Sequence, residues 1–531
     1  MRRGKIGAVK IPLGVVIAVL VLVLAGAPQI EECTTAVISG SATADGRPLL
    51  WKNRDTDDVQ NKLAFLTEGP LAATAIVTPG DPARVWMGVN EAGLAIENSA
   101  SDDLEGAPNT ENGAFMKYAL LHCVTVAEFE TLLIQTNASG RLTKANIGVI
   151  DATGSAAMFE VGNHSFRKYD TANPVDAPLG IIVRTNFAFT GDGSGAGHVR
   201  YNRAAELLSM ARIAGTLSHR FLLQVAARNL KNEAIDPYPL PYEGSQDGLP
   251  LGYIRTTNSI NRSTTRSAVV FQGVRAGEDP RLTTMWTILG EPVCSVALPV
   301  WPLAGSVPAE LGGPSTAPFC DAAIVKKGIC YPLASNSGYI NTYALDDGQG
   351  GGIFSFTVPV EDWCLSHAEA LLAEWRGSVP SLLAVSTAQD EMALRAYRCF
   401  LASSIPNDSL SEPIDLTCKT IENRTLLFRE CVHDLTWRPP AVGSATAYRV
   451  YDVSSGGRKL LAELPSGSSS YLIRNVDRSK NTIYAVLGVD LTGTEGSPAC
   501  VASGTALHTV GSAERTSRLR HLSTRFASAF Q

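Results

Sequence analysis

A cysteine at the start of a predicted strand, Cys33, constrains this chain more than any other feature of its sequence. Residues 34–39 and 48–53 have the composition of two short strands, and Asp45-Gly46 between them is typical of a hairpin turn. The second strand ends in a polar, mostly charged run, Lys52-Asn53-Arg54-Asp55. The sequence therefore predicts a strand pair that begins at a thiol and ends in charged side chains, an arrangement with a chemical use.

Cleavage directly before Cys33 would give this residue both a thiol and a free α-amine. The thiol is a nucleophile, and an α-amine, whose unperturbed pKa is about 8, can serve as its base without a separate histidine. We expect the cut at Glu32-Cys33 to be made by the Cys33 thiol on the carbonyl that precedes it. The chain is therefore predicted to be an inactive precursor that matures by its own cleavage.

The N-terminal segment predicts export. Four basic residues precede an uncharged run over residues 11–27, and Ala25-Gly26-Ala27 resembles a signal-peptidase site. Pro28 is an unfavourable first residue for the product, and the apolar run is slightly shorter than the about 20 residues of a membrane span. We expect residues 1–27 to be a signal peptide or an N-terminal anchor and residues 28–32 a short propeptide. The expected location is periplasmic, cell-surface or secreted, with membrane anchoring before processing.

Length and charge limit the classes of protein to which the chain can belong. Its 531 residues exceed what one hydrophobic core holds, so about two or three domains are expected. A net charge of −6 does not favour nucleic-acid binding, which uses basic surfaces. The sequence gives no basis for predicting an oligomeric state.

The pattern of cysteines favours disulfides over a metal site. The chain has ten, without a CxxC pair and with few histidines nearby, so a zinc site is not expected. In an oxidising compartment the cysteines that cluster in the later half are disulfide candidates whose pairing the sequence does not give: Cys320, Cys330, Cys364, Cys399, Cys418 and Cys431.

Patterning divides the chain into three regions. Residues 33–413 mix short strands with helices, including one helix predicted over residues 115–135 and two over 201–229. This mixture favours an α+β domain in which sheets are layered with helices. Residues 414–510 carry short apolar runs at the spacing of an all-β sandwich, and residues 511–531 form a polar tail that is expected to be disordered or weakly helical.

Four ordered segments resemble the N-terminal-nucleophile cysteine hydrolases. This group includes choloylglycine hydrolases (the bile-salt and penicillin V acylases), penicillin acyltransferase-like and carcinine hydrolase-like enzymes, and a family of dipeptidases. The resemblance extends from Cys33 to about Trp301 and implies a four-layer αββα sandwich. The later β region resembles a fibronectin type III module, a small all-β sandwich. The four segments are residues 33–55, Gly88-Val89-Asn90-Glu91-Ala92-Gly93-Leu94-Ala95-Ile96, Arg184-Thr185-Asn186 and Ser263-Thr264-Thr265-Arg266-Ser267.

The resemblance implies a role for each matching residue. Cys33 resembles the nucleophile and, through its α-amine, the base, and Asp55 resembles the carboxylate that holds this amine. Asn186 resembles a donor to the tetrahedral intermediate, and Asn98 is the candidate for a second donor. Arg266 resembles the arginine that lowers the pKa of the thiol or orients the site.

Lys52 departs from the pattern, because bile-salt-type members have arginine there. Lysine offers a point charge in place of a planar fork, so the substrate preference of those members is not carried over. The resemblance implies an exported hydrolase of a small linear amide that is not an ordinary peptide bond, such as an N-acyl amine, an N-acyl amino acid or a β-alanyl amine. The thiolate attacks, donors hold the oxyanion, and water releases the acyl group. The resemblance implies neither a metal nor an organic cofactor.

Other functions stay open at this point. A dipeptidase of the same fold, an acyltransferase, and a secreted binding protein without catalysis are all compatible with the sequence. A membrane-anchored surface protein is a further alternative, in which the fibronectin-like module is the main functional part. In the enzyme reading, this module docks to a surface or a glycan.

Overall fold

The structure is a computed structural model that describes residues 31–503 with short gaps. The gaps are residues 109–110, 334–337, 404–409, 411, 425–428, 441–444, 455–457, 478, 481, 490–494 and 497. The chain is mixed α+β with several sheets. The predicted signal peptide over 1–27, the first part of the propeptide and the tail over 511–531 lie outside the described residues.

A six-stranded antiparallel sheet, here the first sheet, carries the predicted hairpin. β1 (Glu31–Ile38) pairs on one side with β2 (Leu49–Thr56) and on the other with β10 (Ile181–Arg184). Cys33 lies directly across from Arg54 in this register, which confirms the predicted strand pair. The sheet continues beyond β2 through β12 (Thr265–Gln272), β13 (Thr284–Leu289) and β14 (Leu298–Val300).

A seven-stranded antiparallel sheet, the second sheet, packs against the first. Its strands follow chain order, and β6, β7 and β8 contact β1. A Cβ at Gly148 would lie 2.7 Å from Leu50 and 2.9 Å from Val37, so glycine allows the two sheets to approach here. The strands are β3 (Lys62–Leu66), β4 (Ala73–Val77), β5 (Met87–Asn90), β6 (Ala95–Ala100), β7 (Ala145–Ile150), β8 (Ala156–Val161) and β9 (Phe166–Asp170).

Two helices cover the outer face of the second sheet where one was predicted. The helix predicted over 115–135 is wrong as a single element, because α1 (Asn112–His122) ends before α2 (Val126–Asn137) begins. The Thr125 hydroxyl accepts from the Glu128 amide at 3.1 Å, and the Glu128 carboxylate accepts from the Val124 amide at 2.7 Å. This reciprocal cap starts a new helix inside a continuous apolar pattern.

The outer face of the first sheet is covered by α3 (His198–Ile213), which contacts β1 and β10. The second helix predicted over 201–229 is wrong in extent. It is a single turn, His219–Phe221, followed by the π-helical segment Leu222–Ala226.

Three longer helices complete the main hydrophobic core: α4 (Pro318–Cys330), α5 (Phe354–Trp375) and α6 (Leu382–Ala402). The two strands β11 (Tyr253–Arg255) and β15 (Tyr339–Asn341) form a separate pair. Within the described part of the chain, no helix combines the length and the apolar character that a membrane span requires. All ten cysteines lie among the described residues and no disulfide bond joins any of them, so the predicted disulfides are not present in this structure.

The C-terminal strands form two further antiparallel sheets around a small core of their own. The core contains Trp437 and Tyr448, whose ring centroids lie 5.5 Å apart. One sheet contains β16 (Ile414–Arg424), β17 (Arg429–Arg438) and β20 (Ser470–Ile473). The other contains β18 (Ala447–Asp452), β19 (Lys459–Pro465), β21 (Ile483–Val489) and β22 (Ala499–Ala502).

Candidate active site

Cys33 lies near the start of β1, and the polypeptide continues through the Glu32-Cys33 bond. The residue is only 1% exposed. Its backbone nitrogen donates to Asn186 Oδ1 at 2.9 Å, and its carbonyl accepts from Arg200 Nη1 at 2.6 Å. The nitrogen of the peptide bond that is predicted to be cut is therefore held by a side chain from a distant part of the sequence.

Arg200, in the first turn of α3, connects the groups of this site. It is 2% exposed and, besides the Cys33 carbonyl, donates to Asn186 Oδ1 at 2.8 Å and to Glu32 at 3.3 Å. It also lies 3.8 Å from Asp55 Oδ2. Sequence reasoning missed this residue. One signal was present, because Arg200 is a charged residue in the buried stripe that continues with Ala204, Leu207, Leu208 and Ala211.

Asp55, at the end of β2, lies across from Glu32 in the strand pair. Its Oδ1 accepts from the Thr265 hydroxyl at 2.6 Å. Its Oδ2 is buried, lies 3.8 Å from the guanidinium of Arg200 and of Arg262, and has no hydrogen-bond donor among the described residues. Burial raises the pKa of Asp55 to about 6, against the charges of Arg200 and Arg262. This oxygen is an acceptor beside Arg200, which itself donates to the Cys33 carbonyl.

Arg262 brings a second guanidinium to the cluster. It contacts the Glu32 carboxylate and lies in the loop between β11 and β12. The loop is braced from behind, because Asn261 donates to the buried Glu291 at 2.6 Å and Lys327 of α4 pairs with Glu291 at 2.8 Å. Sequence reasoning missed Arg262, since nothing in its neighbourhood of polar residues distinguishes it from a turn residue.

The structure does not place Arg266 in this cluster. Thr265 pairs with Asp55 and Ser267 pairs with Arg54, so Arg266 is the extra residue of a bulge in β12. Its Nε donates to the Thr56 carbonyl at 3.1 Å. The arginine of this segment that lies beside Asp55 is Arg262, four residues earlier.

Asn186 reaches Cys33 through its carbonyl oxygen. Oδ1 accepts from both the Cys33 nitrogen and Arg200, and Nδ2 donates to the Ala100 carbonyl at 2.9 Å. These partners fix the orientation of the amide in the intact chain. Because the amide nitrogen carries two N–H groups, donation to a tetrahedral intermediate, as predicted, would use the N–H that does not bind the Ala100 carbonyl.

Lys52 and Asn98 are brought together in the structure. Lys52 Nζ donates to Asn98 Oδ1 at 2.7 Å and to the Trp86 carbonyl at 3.0 Å. The Asn98 Nδ2 is buried and has no acceptor among the described residues, so a strong donor is left unused. Lys52 lies across from Thr35, and alternation along β1 puts Thr35 on the same face as Cys33. Burial also raises the pKa of neighbouring Glu97 well above its ordinary range, against the charge of Lys52.

The cluster suits acyl chemistry at Cys33. Two guanidiniums, two carboxylates and the Asn186 amide surround the Glu32-Cys33 bond, and the Asp55 oxygen and Asn98 nitrogen still lack hydrogen-bond partners within the described residues. Among those same residues, no group of three or more His, Cys, Asp or Glu side chains is arranged to hold a metal ion. Nucleophilic attack by the thiol needs only groups of this kind.

The raised pKa of Asp55 predicts a pH-dependent stability of the uncut chain. Because the pKa is about 6 when folded and near 3.8 when unfolded, the folded state holds this proton more tightly. Its stabilising effect is fully present below the unfolded value and is lost as the pH rises through about 6. The loss is on the order of 3 kcal/mol, at about 1.4 kcal/mol per pKa unit.

Denaturant unfolding of Cys33→Ala and of Cys33→Ala/Asp55→Asn, from about pH 4 to about pH 7, measures this effect. We subtract the free energy of unfolding of Cys33→Ala/Asp55→Asn from that of Cys33→Ala. This difference should fall by about 3 kcal/mol as the pH rises. A difference that does not change with pH would contradict the assignment.

Comparisons with known proteins give only distant similarities. No protein-family model matches the sequence, and no curated protein sequence matches it. A variant of the conjugated bile acid hydrolase from Clostridium perfringens aligns at 13% identity and a TM-score of 0.28, over 48% of this chain and 89% of that one. Penicillin V acylase from Agrobacterium tumefaciens aligns at 14% identity and a TM-score of 0.28, over 51% of this chain and 86% of that one.

A further similarity concerns a smaller part of the chain. An Fn3-like protein from Clostridium thermocellum aligns at 22% identity and a TM-score of 0.16, over 19% of this chain and all of that one. Similarities at such TM-scores do not establish a shared fold or activity for this chain.

Proposed function

We propose that the chain is a precursor of an N-terminal-nucleophile cysteine hydrolase that cuts its own Glu32-Cys33 bond. The observation that carries this proposal is the cluster around that bond, in which Asn186 holds the Cys33 nitrogen and Arg200 holds the Cys33 carbonyl. Such contacts fix a peptide bond in one orientation before it reacts.

The proposed fold is a four-layer αββα sandwich followed by a fibronectin type III-like sandwich. Support for the first part comes from two antiparallel sheets that pack face to face, with α1 and α2 on one outer face and α3 on the other. Support for the second part comes from the two small sheets around Trp437. We assign this second part to docking on a surface or a glycan.

Self-cleavage and substrate hydrolysis use the same groups in this proposal. The Cys33 thiol attacks the Glu32 carbonyl, the C–N bond breaks, and the acyl group moves to sulfur while the nitrogen becomes the α-amine. Water then releases the propeptide as a carboxylic acid. The amine is held by Asp55 Oδ2 and acts as the base when the thiol attacks an external amide, and Asn98 Nδ2 donates to the oxyanion.

The proposed substrates are small linear amides other than ordinary peptide bonds, such as N-acyl amines, N-acyl amino acids and β-alanyl amines. The proposed location is outside the cytoplasm, after export. Dipeptide hydrolysis, acyl transfer to an amine acceptor, and binding without catalysis are the alternatives.

A substrate panel tests the proposal. The mature wild-type chain is incubated with N-acyl amines, N-acyl amino acids, β-alanyl amines and dipeptides, and the released amines are quantified. We expect release from at least one of the first three classes, with a covalent adduct at Cys33 when the reaction is quenched in acid. Release from dipeptides alone favours the dipeptidase, and product formation only with an added amine favours the acyltransferase. No turnover with any substrate supports the binding-protein reading and contradicts the proposal.

A further inference from the structure

The carboxylate of Glu32 occupies a site formed by two arginines. It contacts Arg262 and lies 3.3 Å from Arg200. Arg200 has other acceptors, namely the Cys33 carbonyl, Thr34 and Asn186. For the side chain of Arg262, Glu32 is the only hydrogen-bond acceptor that the described residues provide, and the Arg262 Nε atom is buried with no acceptor among those residues.

Cleavage before Cys33 changes the charge balance of this cluster. In the intact chain, two guanidiniums face two carboxylates, those of Glu32 and Asp55. Removal of the propeptide takes away one carboxylate and adds an α-amine. The cluster is then left with an excess of positive charge in a largely buried place, where an unpaired guanidinium is costly.

The position of Glu32 defines which part of a substrate would take its place. In self-cleavage, Glu32 supplies the acyl group that is transferred to the Cys33 sulfur. In substrate hydrolysis, the acyl part of the substrate is transferred to the same sulfur. The side chain of Glu32 therefore marks the place where the end of a substrate acyl chain lies.

Building on the proposed function, we infer that the mature enzyme prefers amides whose acyl group ends in a carboxylate, and that Arg262 binds this carboxylate. The best match is a glutaryl-type acyl group, because it has the same number of carbons between its two carbonyl carbons as the glutamate side chain has. The thiol adds to the amide carbonyl, the C–N bond breaks, and the amine leaves with the proton taken from the thiol. Water then cleaves the thioester, which returns the thiol and releases the diacid.

Two chromogenic amides with the same amine test this inference. One carries a glutaryl group and the other carries its neutral terminal carboxamide. Because a hydrogen bond to a charged group contributes about 1.5–3 kcal/mol, we expect wild-type kcat/KM to be about 10-fold or more higher for the glutaryl amide. In Arg262→Met this ratio should fall close to one, mainly through the glutaryl KM. In Arg255→Met, which removes an exposed arginine seven residues earlier, the wild-type ratio should persist.

The outcomes separate this inference from the proposed function. The carboxylate site would be overturned if the wild type hydrolysed the two amides at equal rates, or if it hydrolysed other N-acyl amines but not the glutaryl amide. Either result would still be consistent with the proposed hydrolase. A wild-type preference that persists in Arg262→Met would remove Arg262 from the assignment. No turnover of any amide by a chain that begins at Cys33 is the failure of the proposed function itself.

A second measurement covers the case in which Arg262→Met does not mature. Inhibition of the wild-type enzyme by glutarate is compared with inhibition by neutral glutaramide. We expect glutarate to inhibit at a concentration about 10-fold or more lower, for the same energetic reason. Equal inhibition, or none by either compound, overturns the inference.

Discussion

The Cys33→Ala chain is expected to keep Glu32, whereas the mature wild-type chain is expected to begin at Cys33. In the proposed reaction, the attacking thiol belongs to the residue that supplies the nitrogen of the scissile bond, so removing the sulfur leaves no group to accept the acyl group. Hydrolysis of the best amide in the substrate panel should fall on the order of 10³-fold or more, as it does when other nucleophilic enzymes lose the attacking group. Intact mass and sequential N-terminal degradation measure the first effect, and amine release measures the second.

The matched control is Cys123, a buried cysteine in the core between the second sheet and its helices. It follows directly after α1, and burial raises the pKa of its thiol to about 11, so it stays protonated near neutral pH. Cys123→Ala should begin at Cys33 and hydrolyse amides like the wild type. Cys33→Ser should mature slowly, because a hydroxyl is a weaker nucleophile than a thiolate. A Cys33→Ala chain that begins at Cys33 would mean that another protease makes the cut, and self-processing would have to be abandoned.

The parts of the site that lie on neighbouring strands were accessible from the sequence. Cys33 and Asp55 are linked by a hairpin whose turn and strand pattern are local, so their proximity follows from short-range information. Lys52 could be placed in the same way, since alternation along β2 fixes the face on which it lies. The predicted mixture of strands and helices holds for the same reason, because periodicity is a local property of the chain.

The two arginines could not be located by such reasoning. Arg200 comes from a helix and Arg262 from a loop, and each meets Asp55 only because the sheet and α3 bring distant segments together. The resemblance implied a site role for Arg266, but the structure does not place this residue in the cluster. The bulge in β12 makes Arg266 an extra residue outside the strand register. A bulge of one residue leaves no periodic signal in the sequence, but it decides which arginine faces the carboxylates.

Arg200→Met is expected to slow both self-cleavage and amide hydrolysis by about 100-fold or more. Methionine retains much of the aliphatic volume but removes the guanidinium that positions the Cys33 carbonyl and Asn186. Loss of a hydrogen bond to or from a charged group costs about 1.5–3 kcal/mol, and two such losses readily give this factor. The variant should also be less stable by about 3–5 kcal/mol, because Asp55 and Glu32 lose a buried partner. Rates are therefore compared at a temperature where both chains are folded.

The pH profile distinguishes a positioning role for Arg200 from a purely structural one. Arg200 is the charge that most strongly opposes the raised pKa of Asp55, so its removal should raise that pKa further. In a plot of the self-cleavage rate against pH, the acid limb should move to higher pH in Arg200→Met. It should stay in place in Arg203→Met, since Arg203 on the same helix contacts Glu206 and Asn229. Arg200→Lys keeps the charge without the fork and should retain the wild-type limb at a reduced rate. An Arg200→Met chain with the wild-type rate and limb would show that the cluster around Cys33 does not depend on this guanidinium.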